Sequence, residues 1–237
     1  MSKIYKIVFS AGVFLLCGIL YYFLASVPPK EPEKQDEPVD DDGNLEEHNQ
    51  YFSGTFIRYV SMIGDSRESY RWTIEEQKIF FNCGEDYSDK LVLELPENAR
   101  IGDVVLYKDM LLFTDYARKA VFCVTEKGIL WESQGEDGFV IPNNFFPIVY
   151  NETRGELWVA NTGKKELLQL DPKTGKFIAS WQPNEAFPGC CNPVKFNVLD
   201  DGSFVCWLKG YQPFLKKHYS PSGEEIELTD DDEEMMP

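Results

Sequence analysis

An all-β fold built from about four similar four-stranded units is predicted by three observations. The stretch from Phe146 to Leu228 is one strand-rich unit written twice, each copy made of short apolar runs broken by Gly, Asn and Asp. Comparable strands recur at a nearly constant spacing: Leu112-Phe113, Leu157-Trp158 and Phe204-Val205 lie 45 and 47 residues apart, and the turn glycines Gly128, Gly175 and Gly223 lie 47 and 48 apart. No long amphipathic helical pattern follows residue 30. A period of this length suits the four-stranded blade of a small or partial β-propeller, in which no blade buries both faces alone and stacking supplies the core.

The chain divides into four segments. Residues 1–27 contain the uninterrupted apolar run Ile7 to Val27, long enough to cross a hydrocarbon core as one transmembrane helix. Lys3 and Lys6 precede it and acids follow. The positive-inside tendency then leaves the N-terminus cytoplasmic and the rest extracytoplasmic. A cleaved signal peptide competes with this signal anchor, but the apolar run exceeds the usual h-region and no clean small-x-small site follows. Residues 28–50 hold four prolines and nine acids with almost no large apolar residue, the composition of a tether. Residues 51–229 form the β domain, and 230–237 are a second acidic tail.

Composition limits the function classes. The formal charge of -17 is concentrated in the tether and the tail, leaving 51–229 at about -7. No basic stripe forms, so a nucleic-acid role is not expected. Two histidines, His48 in the tether and His218 beside Lys216 and Lys217, make a metal site or a hydrolytic triad poorly supported, and no Gly-rich phosphate loop is present. We expect no catalytic residue, metal or cofactor.

Each blade follows in order. The first and least regular unit has strand-like runs at Thr55–Val60, Tyr70–Ile74, Ile79–Asn82 and Leu91–Leu95. The second has Asp103–Tyr107, Leu111–Thr114, Ala120–Val124 and Ile129–Glu132. The third has Pro147–Tyr150, Leu157–Asn161, Leu167–Asp171 and Phe177–Trp181, with Asp171-Pro172-Lys173-Thr174-Gly175 as its outer turn, where Pro presets φ and Gly supplies a positive φ. The fourth has Val194–Val198, Phe204–Trp207, Phe214–Tyr219 and Glu225–Leu228. Four blades use all of 51–229, which permits a closed ring, a partial ring completed by a partner, or a remnant β-structure.

The Leu-Trp-Val-Ala-Asn at 157–161, with Leu-Asp-Pro-Lys-Thr-Gly-Lys at 170–176, resembles NHL-repeat propellers and, more loosely, quinoprotein repeats. Gly189-Cys190-Cys191-Asn192-Pro193, followed by Asp201–Val205 and Tyr219–Gly223, is similar to a group of bacterial NHL-repeat proteins of poorly defined function. The resemblance covers roughly 100–228 and implies a periplasmic location at the bacterial inner membrane. The tryptophan expected four residues after Thr-Gly in quinoprotein repeats is replaced by Ala179, which argues against a bound quinone.

Two sets of residues are candidates for function. Cys190 and Cys191 are adjacent in a Pro- and Gly-bounded loop. A vicinal disulfide, bridges to Cys83, Cys123 or Cys206, and a thiol redox pair are all open, and with five cysteines after the membrane segment one is left over within the chain. Cys123 and Cys206 fall in strands and read as buried small apolar residues. The loops joining second and third strands share a propeller face with the connections between blades. They carry Arg118 and Lys119, Lys164 and Lys165, and Lys209 with Tyr211, a locally basic, aromatic-containing face to which an acidic protein could dock. The leading expectation is a membrane-anchored binding or accessory subunit with a protein partner, within a larger membrane complex. The alternative is an extracytoplasmic enzyme: a thiol redox protein, or a channel-metal hydrolase with Asn161, Asn192, Asn197 and Glu132 as contributors.

Overall fold

The computed structural model describes residues 53–61, 67–83, 88–210 and 214–228. The expected membrane helix, the tether, the acidic tail and Tyr211 lie outside the described residues. Among the described residues sixteen strands form four separate four-stranded sheets, each an antiparallel meander in chain order. Sheet I holds β1 (Gly54–Ser61), β2 (Arg67–Glu75), β3 (Lys78–Cys83) and β4 (Lys90–Glu94). Sheet II holds β5 (Ile101–Tyr107), β6 (Met110–Asp115), β7 (Ala120–Thr125) and β8 (Gly128–Ser133). Sheet III holds β9 (Ile148–Asn151), β10 (Glu156–Asn161), β11 (Glu166–Leu170) and β12 (Phe177–Trp181). Sheet IV holds β13 (Lys195–Val198), β14 (Phe204–Leu208), β15 (Leu215–Tyr219) and β16 (Glu225–Ile226). Every expected strand is present, and the arrangement is propeller-like.

The two-residue period of the central strands explains the stacking. On β6, Leu111 and Phe113 pack toward sheet I while Leu112 packs toward sheet III. On β10, Leu157 and Val159 face sheet II, and Trp158 and Ala160 face sheet IV. On β14, Phe204, Cys206 and Leu208 join the core shared with sheet III, whereas Val205 and Trp207 enter a separate cluster with Val194, Phe145 and Leu199. Among the described residues, three large cores therefore join I to II, II to III and III to IV. Strands buried on both faces read as continuous apolar runs rather than alternating ones, which is why Ala120–Val124 has no polar residue.

Tryptophans on the outermost strands add a second tie. Trp131 Nε1 donates to the carbonyl of Pro172 at 3.2 Å, and Trp181 Nε1 donates to that of Pro221 at 3.0 Å, so each reaches the last hairpin of the next sheet. The first of these turns needs its glycine twice over. Gly175 has φ of +69°, and a Cβ there would meet the Trp131 ring at 2.5 Å.

Candidate functional site

The connections between second and third strands lie beside the segments that lead from sheet to sheet, and a hydrogen bond fixes this at each sheet, between backbone groups in sheets I to III. Leu95 N–H donates to Gln77 O at 2.8 Å, Tyr116 N–H to Arg100 O at 2.9 Å, and Gly163 N–H to Val140 O at 2.8 Å. In sheet IV the bond runs through a side chain, with Lys209 N–H donating to Asn192 Oδ1 at 2.8 Å. The approach at Gly163 is close enough that a Cβ would lie 2.6 Å from Val140 O.

Three buried polar residues clasp this end of the domain, and two of them close equivalent strands. Asp115, the last residue of β6, accepts N–H bonds from Arg100, Ala117 and Arg118 through Oδ1. Its Oδ2 receives Arg118 Nε at 2.7 Å, and the guanidinium lies 4.1 Å over the Phe122 ring. Asn161, the last residue of β10, accepts Val140 N–H at 2.8 Å and donates to Glu166 Oε1 at 2.8 Å. Asn192 sits on the connection instead. Its Nδ2 donates to Pro188 O at 2.8 Å and Lys209 O at 3.3 Å.

The predicted basic residues share this end but not one chemistry. Lys119 and Lys164 are exposed. Arg118 is committed to Asp115 and Phe122, Lys165 Nζ donates to Phe187 O at 2.9 Å, and Lys209 Nζ lies 5.8 Å from the Phe145 ring. Acids stand among the expected basic residues at one point of this end. Lys164 borders a cavity of about 190 Å³ that Glu136, Asp137, Glu166 and Phe177 also line, so acids interrupt the lysines between sheets II and III. Positions in sequence identified the loop lysines; the acids reach the groove from the intersheet segment and from β11.

Cys190 and Cys191 lie in this same loop set, between Phe187 and Asn192. Cys190 is exposed and Cys191 is buried, with φ of +61° at Cys191. Burial and a hydrogen bond with Cys190 raise the Cys191 pKa, and the Lys209 and Lys165 charges oppose the rise. All five described cysteines are free thiols, so neither a vicinal disulfide nor a bridge to Cys83, Cys123 or Cys206 is present. Burial pushes the Cys123 thiol up to about 12 and raises that of Cys206, as befits packed apolar residues.

The residues considered for a channel ion are not free to serve together. The Asn161 and Asn192 side chains are spent on the loop bonds, and Glu132 is exposed on β8, the last strand of its sheet. Among the described residues no three His, Cys, Asp or Glu side chains form a metal-sized group. One chain of polar groups escaped sequence reasoning. Ser203 Oγ donates to Asp201 Oδ1 at 2.6 Å and lies 2.8 Å from His218 Nε2. The carboxylate here holds the serine rather than the imidazole, and Ser203 is 1% exposed, so the arrangement ties the β13–β14 turn to β15 and offers no accessible nucleophile.

Fold and site together define an all-β domain of four propeller-like sheets with a polar loop end. No family model matches the chain, and no curated protein matches it. Solved structures resemble it at low identity. A streptogramin B lyase is 12% identical over 75% of this chain and 60% of its own, with a TM-score of 0.47. The hydrazine synthase of Kuenenia stuttgartiensis is 14% identical over 67% and 45%, with a TM-score of 0.48. A Bacteroides caccae protein of unknown function is 15% identical over 70% and 58%, with a TM-score of 0.42. The chain thus spans roughly half of the length of the structures it resembles, and likeness at this level carries no functional argument.

Proposed function

We propose that the chain is a membrane-anchored binding or accessory protein whose loop end docks a protein partner. In this reading Ile7–Val27 anchors it, the sheets lie on the extracytoplasmic side of a bacterial inner membrane, and the partner is a component of a larger membrane complex. The resemblance of 157–161 and 170–176 to NHL repeats supports the same architecture. The carrying observation is the rigidity of the loop end: at each sheet the second-to-third-strand connection is hydrogen-bonded to the neighbouring intersheet segment. Loops held this way lose little freedom on docking, which favours recognition by preformed surface. The exposed Lys119 and Lys164, with Lys165 and Lys209 beside the two cysteines, present cations to an acidic surface, while the acidic groove by Lys164 selects against a uniformly negative partner.

The test is purification of the full-length protein from its native membrane in mild detergent, as wild type and as Lys119→Glu with Lys164→Glu. The wild type is expected to carry a stoichiometric partner, and the double variant to bind it about tenfold more slowly at low salt with unchanged thermal unfolding. Isolation of the wild type alone, or equal association by both proteins, contradicts the reading.

A further inference from the structure

We infer that Cys190 and Cys191 form a reversible thiol–disulfide exchange site that closes to a vicinal disulfide on reaction with the disulfide of a small thiol compound. The two thiols differ in access, because Cys190 is exposed and Cys191 is buried, yet they sit on consecutive residues of one constrained loop. Entry is therefore directed to Cys190, and the resolving thiol is already at hand.

The surroundings hold this pair in place from both sides. Asn192, fully buried, bonds the Pro188 carbonyl before the cysteines and both backbone groups of Lys209 across the loop. Lys165 Nζ bonds the Phe187 carbonyl at 2.9 Å; burial raises the Cys191 pKa, and the Lys209 and Lys165 charges oppose that rise only in part, which leaves the exposed Cys190 as the entry thiol. The left-handed conformation at Cys191, φ +61°, is unusual for a residue with a Cβ and marks a locally constrained backbone.

The step balances as two exchanges. Cys190 loses its proton to solvent, and its thiolate attacks one sulfur of the small disulfide, releasing one small thiolate and leaving a mixed disulfide on Cys190. Cys191 then loses its proton and attacks Cys190 Sγ, which forms the Cys190–Cys191 bond and expels the second small thiolate. The cysteine pair is oxidised by two electrons and the small disulfide is reduced to two thiols. Adjacent Cα atoms stand about 3.8 Å apart, closer than the usual disulfide span of about 4.4–6.8 Å. The closed ring is accordingly strained and easily reopened, which suits a reversible modification rather than a staple.

Phe177–Lys195 is a single tryptic fragment that contains both cysteines and no other, so its mass reports on this pair alone. The full-length protein is treated with oxidised glutathione, quenched in acid and mapped, then treated with reduced glutathione and mapped again. The inference expects a fragment lighter by two hydrogens, restored by excess reduced glutathione. Cys191→Ser should instead hold one glutathionyl group on Cys190, which keeps the test readable without the ring. A wild-type fragment that stays unmodified, or that accumulates one or two glutathionyl groups without closing, overturns the inference. Cys123 and Cys206, both 0% exposed, serve as unreactive internal references.

Discussion

Asp115 and Asn161 occupy the same place in consecutive sheets, each closing a second strand and each holding the neighbouring intersheet segment by a backbone N–H. Their second contacts are opposite in charge. The carboxylate of Asp115 draws in Arg118, whereas the amide of Asn161 donates to Glu166. The terminal atom of each side chain matches the charge it meets, a carboxylate oxygen facing a guanidinium and an amide nitrogen facing a carboxylate. In sheet IV the equivalent strand position is the apolar Leu208, and the clasp moves across the gap to Asn192. A hydrogen bond between loop and connection is kept, by backbone groups in sheets I to III and through the Asn192 side chain in sheet IV.

This comparison is broken most severely at Asn192. Asn192→Ala removes three hydrogen bonds from a fully buried site and leaves Lys209 N–H and two carbonyls without partners; a loss of about 3 kcal/mol in urea unfolding is expected. Asn161→Ala orphans Val140 N–H and frees Glu166, with an expected loss of about 2 kcal/mol by the same measurement. Asp115→Asn keeps the oxygen that receives the Arg100 N–H but gives up the charge opposite Arg118, and about 1 kcal/mol is expected.

Asp103 sharpens the contrast without breaking it. It accepts Val104 N–H at 2.8 Å and Ile148 N–H at 3.1 Å, and burial outweighs these bonds to raise its pKa from 3.8. The native state then holds this proton more tightly than the unfolded chain. Its contribution to stability is greatest below pH 3.8, falls as pH rises toward the native value, and is constant above it. Asp103→Asn abolishes that decline, so the difference between wild-type and variant urea midpoints should change as pH rises above 3.8 and level off once Asp103 is ionised in both states. A difference that does not change with pH above 3.8 contradicts the assignment.

All sixteen strands were legible because each pairs an apolar run with a local turn signal, and both lie within a few residues. The ends were less so: Glu225–Leu228 contracts to Glu225–Ile226, and Val194 joins the core without joining β13. The first unit read as irregular because its β2–β3 turn, Glu76-Gln77, takes positive φ at both residues with no glycine to announce it. The loop end was placed correctly by counting strands. The clasps could not be, since Asn161 to Val140 and Asn192 to Lys209 join residues 21 and 17 apart that only the finished fold brings together. For the same reason Lys164 was visible while Glu136 and Asp137 beside it were not.

The most direct test of the docking surface is lysine acetylation measured twice, on intact native membranes and on the purified full-length protein. Docking of a partner at the loop end predicts that Lys119 and Lys164 are protected in the membrane and become reactive on purification, while the exposed Lys127 and Lys173, on the turns after the third strands of sheets II and III, react equally in both. Equal modification of Lys119 and Lys164 in the two preparations would contradict it.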